Sequence, residues 1–277
     1  MQIILSENIG ACYGVKRALE LADETIKRNK TGRTYTLGPL IHNPQATAVL
    51  EKKGLKKIDD ISQLRQGTMI IRAHGISPRI ISRINKKELR IIDATCPFVK
   101  KVHFLAKELY SKGYRIIIIG DPKHSEVIGI AGNVKNAIII SKPEQLKKLP
   151  KLKKAAVVSQ TTQSVGNFND IVGKLRQKYK GLVVYNTICS ATETRQKSAL
   201  KIAKKVSLML VIGGHNSANT KRLADICSKI TETRQIETAK DLKKGWLAGK
   251  ERVGIATGTS TPNWIVDEVI NKLKTSG

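Results

Sequence analysis

The chain has 277 residues, of which 40% are apolar, which is enough for a folded core and excludes an intrinsically disordered protein. Its 50 basic and 22 acidic residues give a net charge of +28, which favours an anionic partner such as nucleic acid, anionic lipid or a phosphorylated substrate. Aromatic residues make up only 4%, and the lysines are spread from end to end, so we expect no dedicated nucleic-acid partner.

The chain starts MQIILSENIGACYG, without the basic and long apolar segments of a secretory signal. No apolar run approaches the roughly 20 residues that span a bilayer, so we expect a cytoplasmic protein with no membrane partner. Thiols stay reduced in the cytoplasm, and the four cysteines are therefore poor candidates for disulfides. The absence of a CxxC pair removes the usual support for a zinc ribbon or a thioredoxin-like site.

Short apolar runs alternate with helical patterns along most of the chain. The runs predict strands at 3–5, 35–37, 68–72, 90–93, 115–120, 137–140, 155–159, 182–185, 208–212 and 253–256. The helical patterns lie at 14–28, 44–53, 78–87, 97–112, 165–179, 192–205, 220–231 and 262–274. Continuous β-branched strands between helices indicate parallel sheets covered on both faces, so the predicted class is α/β.

One order of features occurs three times along the chain. A cysteine stands where a strand passes into a helix in IGACYGVKRA, IDATCPFVKK and NTICSATETRQ; these are Cys12, Cys96 and Cys189. Two polar loops at strand ends follow each cysteine, and their leading residues are His42 and His74, His124 and Thr161, and Ser217 and Ser260. We therefore predict three similar small α/β domains around a common centre, over 13–96, 97–189 and 190–277, the last together with 1–12.

Three thiolates on three rigid segments suit a metal centre, provided that the three repeats face one another. Zinc in a Cys₃ site is one alternative, although a fourth ligand is then expected. An iron–sulfur cluster suits the long spacings better, because its size removes the need for ligands adjacent in sequence. A [4Fe–4S] cluster normally takes four cysteines, so three ligands leave one iron open and favour a catalytic cluster over an electron carrier. Cys227 lies inside the apolar helical pattern TKRLADICSKI and is expected to be a packed thiol.

The polar loops indicate what the ligand carries. Histidine, hydroxyl and amide groups bind phosphate, as do backbone N–H groups at helix starts. The loop GGHNSANTK presents Ser217 and Asn219 at a helix start, where capping alone is the alternative. Neither GxxxxGK[ST] nor GxGxxG occurs, so a small diphosphate fits better than ATP or NAD.

Other titratable residues near these loops divide into a candidate acid and two lesser candidates. Glu126, two residues after His124, is a candidate proton donor, with a solvent-facing helix start as the alternative. His103 is interpreted as structural, and His215 ranks below the serine and asparagine of its loop.

The motifs together resemble the LytB family of 4-hydroxy-3-methylbut-2-enyl diphosphate reductases. The matching pieces run from residue 11 to residue 264 and are ACYGVKRA, GPLIHNPQ, RAHG, DATCPFVKKVH, GDPKHSEVIGI, SQTT, NTICSATETRQ, GGHNSANTKRL and GTSTPNW. The resemblance implies a trefoil of three α/β domains in a pseudo-threefold arrangement around a central iron–sulfur cluster. It is consistent with the repeat found above.

The resemblance also implies roles for individual residues. Cys12, Cys96 and Cys189 would hold one [4Fe–4S] cluster per chain, with one iron free of protein ligands. The substrate's diphosphate would be bound by His42, His74, His124, Ser217, Asn219 and Ser260. Glu126 with Thr161 would relay a proton to the substrate's hydroxyl end, and Thr192 would lie near that end. Ala218 stands where many relatives have a second serine, so that role is not carried over.

The implied reaction is the last step of the non-mevalonate isoprenoid pathway. It is a two-electron reductive dehydroxylation that gives isopentenyl and dimethylallyl diphosphate, with reduced ferredoxin or flavodoxin as the electron donor. Two rival functions remain open from the residues alone. The positive charge suggests a nucleic-acid-binding protein, and the four cysteines suggest an electron carrier.

Overall fold

The structure, a computed structural model, describes residues 1–29 and 32–276. The strands are β1 (Gln2–Leu5), β2 (Thr34–Leu37), β3 (Leu55–Ile58), β4 (Gln66–Ile71), β5 (Glu88–Asp93), β6 (Arg115–Ile119), β7 (Ile138–Ile140), β8 (Ala155–Ser159), β9 (Val183–Val184), β10 (Leu208–Ile212), β11 (Thr233–Ile236) and β12 (Arg252–Thr257). The α-helices are α1 (Tyr13–Arg28), α2 (Pro44–Lys52), α3 (Pro78–Asn85), α4 (Pro97–Ser111), α5 (Ser125–Ala131), α6 (Val165–Lys178), α7 (Ser190–Ala203), α8 (Ala218–Ser228) and α9 (Asn263–Ser276). Short 3₁₀-helices occupy Pro143–Lys148, Ala239–Asp241 and Lys244–Trp246.

The strands form three parallel sheets that share one topology. The first sheet has the order β3-β2-β4-β5, the second β7-β6-β8-β9, and the third β11-β10-β12-β1. In each sheet one strand, β2, β6 or β10, pairs with the next two strands along the chain, one on either side. A fourth strand forms an edge. The fourth strand of the third sheet is β1, from the start of the chain. Helices between parallel strands confirm the predicted α/β class.

This topology places the polar loops at equivalent points of the three sheets. In parallel sheets, ligands bind beyond the carboxyl ends of the strands, where neighbouring connections run in opposite directions. Here that point lies between the two central strands, β2 and β4, β6 and β8, or β10 and β12. The loops that follow these strands carry the histidine, glutamate, threonine, serine and asparagine residues predicted to bind substrate. Each edge strand that closes a repeat, β5, β9 or β1, is followed by a cysteine.

The second sheet shows how its sequence produces a layered core. Ile117 and Ile119 pack with α6 on one face, whereas Ile116 and Ile118 pack with α4 and α5 on the other. All four isoleucines are buried, since alternate side chains of a strand point to opposite faces. The continuous run RIIII is thus the expected sequence of a strand covered on both sides.

The chain divides into two compact units. Unit I comprises Met1–Lys16, His42–Ala46 and the chain from Ser190 onward, and it contains the third sheet. Unit II comprises Arg17–Ile41 and Thr47–Cys189, and it contains the first and second sheets. Each sheet takes its strands from a different one of the three predicted domains, while the domain boundaries themselves and the trefoil arrangement stay predictions. Over the described part of the chain, no helix combines the length and apolar character that a membrane crossing requires.

Candidate active site

The three predicted cysteines each stand directly before a helix. Cys12 precedes α1, Cys96 is the N-cap of α4, and Cys189 precedes α7. The N-terminus of a helix carries partial positive charge, which attracts anionic groups. All three side chains are partly accessible. These positions suit anionic sulfur ligands that another group can reach.

The backbone N–H of each of these three cysteines makes an equivalent hydrogen bond. The N–H of Cys96 donates to the carbonyl of Ala73 at 3.0 Å, next to His74. Cys189 donates in the same way to Thr161, and Cys12 to Thr259, each at 2.9 Å. In every case the acceptor lies in or directly beside the second polar loop of the predicted domain to which that cysteine belongs. The backbone of each cysteine is therefore anchored to a loop that is predicted to contact the substrate.

Cys227 differs from the other three cysteines. Its side chain is buried on α8 among Leu223, Met209 and Ala199, and burial raises the pKa of its thiol to about 11. A neutral thiol in an apolar core is a poor metal ligand, because the thiolate is the form that binds. The prediction of a packed thiol is consistent with this environment.

Glu126 lies in the first turn of α5, in unit II, and is 2% exposed. Its Oε1 accepts the backbone N–H of Thr161 at 2.6 Å, and its Oε2 accepts the Thr161 hydroxyl at 2.9 Å. The solvent-facing alternative for Glu126 is therefore wrong. Since the carbonyl of Thr161 accepts the N–H of Cys189, Thr161 connects the buried acid directly to a cysteine.

Two of the predicted histidines lie together in unit II. The His124 ring caps α5, where its Nδ1 accepts the backbone N–H of Glu126 at 3.2 Å. In the neutral ring this leaves the proton on Nε2, which can donate to another group. The ring of His74 meets that of His124 edge to face, with centroids 5.6 Å apart. The loops after β4 and β6 thus bring two nitrogen-bearing rings close to the buried acid.

The serine and asparagine residues of unit I surround the start of α8. Ser217 is buried and caps the helix, its hydroxyl accepting the N–H of Thr220 at 3.3 Å. Asn219 is 2% exposed, yet neither its amide oxygen nor its amide nitrogen has a hydrogen-bond partner among the described residues. A buried amide without partners costs free energy unless a ligand satisfies it. Capping alone therefore accounts for Ser217 but not for Asn219.

The loop after β12 lies beside the same helix start. Ser260 is buried there, and the neighbouring Thr261 hydroxyl donates to the carbonyl of Ile212 at 2.8 Å. A Cβ added at Gly258 would stand 2.1 Å from the Thr220 hydroxyl oxygen, which only glycine avoids. The two polar loops of the third sheet are thus packed closely enough to act on one small group.

The remaining predicted residues of unit I are His42 and Thr192. His42 lies just before α2, where the side chain of Asn43 accepts the N–H of Ala46 at 2.8 Å and fixes the start of the helix. Thr192 is buried in the first turn of α7, three residues after a cysteine. A cleft of about 420 Å³ opens beside Cys12 and is also lined by Lys16 and Thr194.

Arginine residues that the sequence analysis did not select support two of the cysteine loops. Arg17, on α1, donates to the carbonyls of Asp93 and Thr95 at 3.4 and 3.3 Å, directly before Cys96. In unit I, the buried Arg195 donates to the carbonyl of Gly10 at 2.7 Å, just before Cys12. The only signal in the sequence was an arginine inside each motif, which pattern reading cannot distinguish from a surface charge.

The predicted residues therefore fall into two sets. Unit I holds Cys12, His42, Thr192, Ser217, Asn219 and Ser260; unit II holds His74, Cys96, His124, Glu126, Thr161 and Cys189. Within unit II the two rings, the acid, its threonine and one cysteine are joined by the contacts given above. The union of both sets into one site is part of the proposal below.

Comparisons with known proteins agree with the motifs. Residues 3–274 match the family described as LytB protein. The chain is 45% identical to the 4-hydroxy-3-methylbut-2-enyl diphosphate reductase of Clostridioides difficile, covering 99% of each protein. It is 42% identical to the enzyme of that name in Geobacter metallireducens, over 99% of this chain and 97% of that protein.

Solved structures give the same result. A structure titled as the E-1-hydroxy-2-methyl-but-2-enyl-4-diphosphate reductase from Plasmodium falciparum superposes with a TM-score of 0.95 at 32% identity, covering 99% of this chain and 88% of that one. A second, titled as (E)-4-hydroxy-3-methyl-but-2-enyl diphosphate reductase, the terminal enzyme of the non-mevalonate pathway, gives a TM-score of 0.72 at 40% identity, with 99% and 100% covered. The predicted resemblance is confirmed: the chain belongs to the LytB family, whose matched relatives are named as reductases.

Proposed function

We propose that this chain is a 4-hydroxy-3-methylbut-2-enyl diphosphate reductase. In the reaction the allylic C–O bond breaks and a C–H bond forms, so that one substrate, two electrons and two protons give water and either isopentenyl or dimethylallyl diphosphate. The observation that carries the proposal is that three cysteines occupy equivalent positions. Each stands at a helix start and donates its backbone N–H to a polar loop. The names of the relatives support the same substrate.

We propose further that Cys12, Cys96 and Cys189 together hold one [4Fe–4S] cluster with one iron free of protein ligands. Thiolates are the ordinary ligands of such clusters, and these three are accessible at helix N-termini, whereas Cys227 is buried and neutral. When bound, the cluster supplies the two electrons in single steps and a Lewis-acidic position near the substrate. The three small domains would surround it.

The diphosphate would be bound by hydrogen-bond donors from both sets. Asn219 offers an unsatisfied buried amide, and Ser217 and Ser260 offer buried hydroxyls at the N-terminus of an eleven-residue helix. Helix N-termini favour anions, because their first N–H groups lack partners within the helix. His42, His74 and His124 would add ring N–H donors. Thr192 would lie near the hydroxyl end of the substrate.

Glu126 would supply the proton that lets the hydroxyl leave as water. In its charged form both carboxylate oxygens are occupied by donors of Thr161. Once protonated, Glu126 donates back to the Thr161 oxygen, which in turn directs its own proton to the leaving hydroxyl. The burial of both residues keeps bulk water from competing for that proton.

The test is anaerobic reconstitution of the wild type and of four single cysteine variants. Changing Cys12, Cys96 or Cys189 to Ser should reduce bound iron and abolish turnover driven by a small chemical reductant. Cys227→Ala is the matched control and should keep both, because its thiol belongs to the core of the third sheet. Iron analysis, visible absorption and chromatography of the two products are the measurements.

Each outcome separates the proposal from a rival. A wild type that stays colourless and iron-free after reconstitution contradicts the proposal. Loss of the cluster in Cys227→Ala would instead show a four-cysteine electron carrier. Salt-sensitive RNA or DNA binding without any turnover would favour the nucleic-acid function that the charge suggests.

A further inference from the structure

The loop between β10 and α8 is held by side chains from the end of the edge strand β11. Gln235, on β11, donates its amide N–H to the carbonyls of Gly213 and Gly214 at 3.3 and 3.2 Å. Glu237 follows β11 directly, and its Oε1 accepts the backbone N–H of His215 at 2.6 Å. Two side chains therefore fix three consecutive residues of this loop, and the last of these stands two positions before the serine that caps α8.

The second carboxylate oxygen of Glu237 contacts a different segment of unit I. Its Oε2 accepts an amide N–H of Gln45 at 3.3 Å. Gln45 lies in the first turn of α2, three residues after His42. The loop between β10 and α8 also lies directly against this segment, since a Cβ added at Gly214 would stand 3.0 Å from the carbonyl oxygen of His42. One carboxylate thus links two segments that are far apart in sequence, and each segment carries a proposed diphosphate ligand.

Glu237 is itself held in place by its backbone. The carbonyl of Ile236, the residue before it, accepts the N–H of Gly213 at 2.8 Å, which extends the pairing of β10 with β11. The carboxylate of Asp241 accepts the N–H groups of Glu237 and Thr238, each at 2.9 Å. In the part of the chain that the structure describes, no lysine or arginine pairs with Glu237, although the chain has 50 basic residues against 22 acidic ones. Its carboxylate therefore serves the two backbone segments.

We propose that Glu237 is a positioning residue for the diphosphate site, because it holds the loop that leads to Ser217 at a fixed place beside His42. The inference rests on the proposed function, which assigns these two residues to the diphosphate. A carboxylate suits this task, because a charged acceptor forms stronger hydrogen bonds than a neutral one and has two oxygens to share. Its negative charge by itself would oppose the binding of an anion, so geometry accounts for its presence where charge does not.

Three single variants separate position from charge. Glu237→Ala removes both side-chain hydrogen bonds. Glu237→Gln removes the charge and can keep both bonds: its amide oxygen can accept the N–H of His215, and its amide N–H can donate to Gln45, whose Oε1 meets no donor in the ranges that the structure covers. Glu232→Ala is the matched control, since it removes an exposed carboxylate just before β11 whose surface ion pairs contribute little to stability.

Binding of inorganic diphosphate, measured by calorimetry on the anaerobically reconstituted protein, is the first readout and needs no turnover. Glu237→Ala should bind diphosphate about tenfold more weakly than the wild type. Its KM for the substrate should rise by a similar factor while kcat stays within about twofold, because a loss of uniform binding changes KM and leaves kcat unaltered. Glu237→Gln and Glu232→Ala should both keep diphosphate binding and KM within about threefold of the wild type.

Three results would overturn the inference. The first is wild-type diphosphate binding and KM in Glu237→Ala. The second is equal impairment of Glu237→Gln and Glu237→Ala, which would assign the effect to charge. The third is a fall in kcat of Glu237→Ala with KM unchanged, which would show a general structural role. Absence of turnover in every protein, the wild type included, with diphosphate binding still weakened in Glu237→Ala alone, would support the inference and contradict the proposed function.

Discussion

Thr161 holds both a carboxyl group and the backbone of a cysteine through hydrogen bonds. Its hydroxyl and N–H hold the carboxyl group of Glu126, and its carbonyl holds the backbone of Cys189. The carboxyl group therefore cannot reorient without breaking two hydrogen bonds to the residue that also anchors the Cys189 loop. In the proposed reaction this constraint would favour proton transfer, because the donor would already be aligned when the substrate arrives.

Glu126→Gln tests the acid. The glutamine can still accept the N–H of Thr161 and can donate to its hydroxyl, so fold and bound iron should match the wild type. Without an acidic proton, turnover with a small reductant should fall by about 100-fold or more. Thr161→Ser is the control, since it keeps both the N–H and the hydroxyl. Turnover of Glu126→Gln near that of the wild type would remove this residue from the mechanism.

The residues alone singled out candidates chiefly where they belong to a repeated motif, whereas Thr192 was selected only through the family resemblance. The three cysteines and their polar loops occur three times, and the repetition separates them from incidental polar residues. Arg17 and Arg195 occur once each, and their role depends on carbonyl groups distant in sequence. Nor could pattern reading show that the Asn219 amide lacks partners, because that is a property of packing.

At the scale of secondary structure, apolar content decided which elements the sequence revealed. The buried strands were predicted to within about two residues. Two strands were missed, LKKI of β3 and TRQI of β11, and each forms the edge of its sheet. An edge strand needs fewer apolar residues and tolerates charge, which removes the signal. Helix α5 was also missed, because seven residues are too few to show a helical period.

The side chain of Arg17, on helix α1, holds the loop that precedes Cys96. Arg17→Ala removes two hydrogen bonds to the carbonyls of Asp93 and Thr95 and should cost about 1 kcal/mol of stability. The loosened loop should also lose iron faster to a chelator. Arg28→Ala, at the exposed end of the same helix, is the control. Identical melting and iron loss in the two variants would show that Arg17 does not position the Cys96 loop.

The pH dependence of the stability of the whole molecule should depend on one half-buried histidine, His103. Burial lowers the pKa of His103 to about 4, and the charge of Asp93 opposes this shift only in part. The unfolded chain protonates its histidine near pH 6.5. Between these values the unfolded state binds the extra proton, so the stability that His103 contributes is complete above pH 6.5 and is lost as the pH falls towards 4.

Urea unfolding at pH 7 and pH 5 measures this dependence. The wild type should lose up to about 2 kcal/mol more between these values than His103→Gln, which cannot titrate. His215→Gln is the control, since His215 is exposed and should leave the difference as in the wild type. An equal loss in wild type and His103→Gln would show that His103 does not stay neutral in the folded protein.

The net charge of +28 proved the least specific feature of the whole molecule. The predicted site uses histidine, serine and asparagine, none of which contributes to that charge at neutral pH. Most of the basic residues lie at exposed positions on helices and loops throughout the chain. Composition alone could not reveal this, because it contains no information about which charges share a surface.

The edge strand β1 has a consequence for how the protein is made. Within the described ranges, β1 pairs with β12 alone, and the N–H of Cys12 bonds to Thr259, just beyond that strand. The ribosome releases the two partners at opposite ends of synthesis, and domains generally fold as their residues emerge. Cys96 and Cys189 can thus reach their places on the growing chain, whereas Cys12 must wait for the last tenth of the protein, where β12 lies. Metal loading is therefore expected to follow release from the ribosome, and a nascent chain stalled before β12 would hold the first thiol without its anchor.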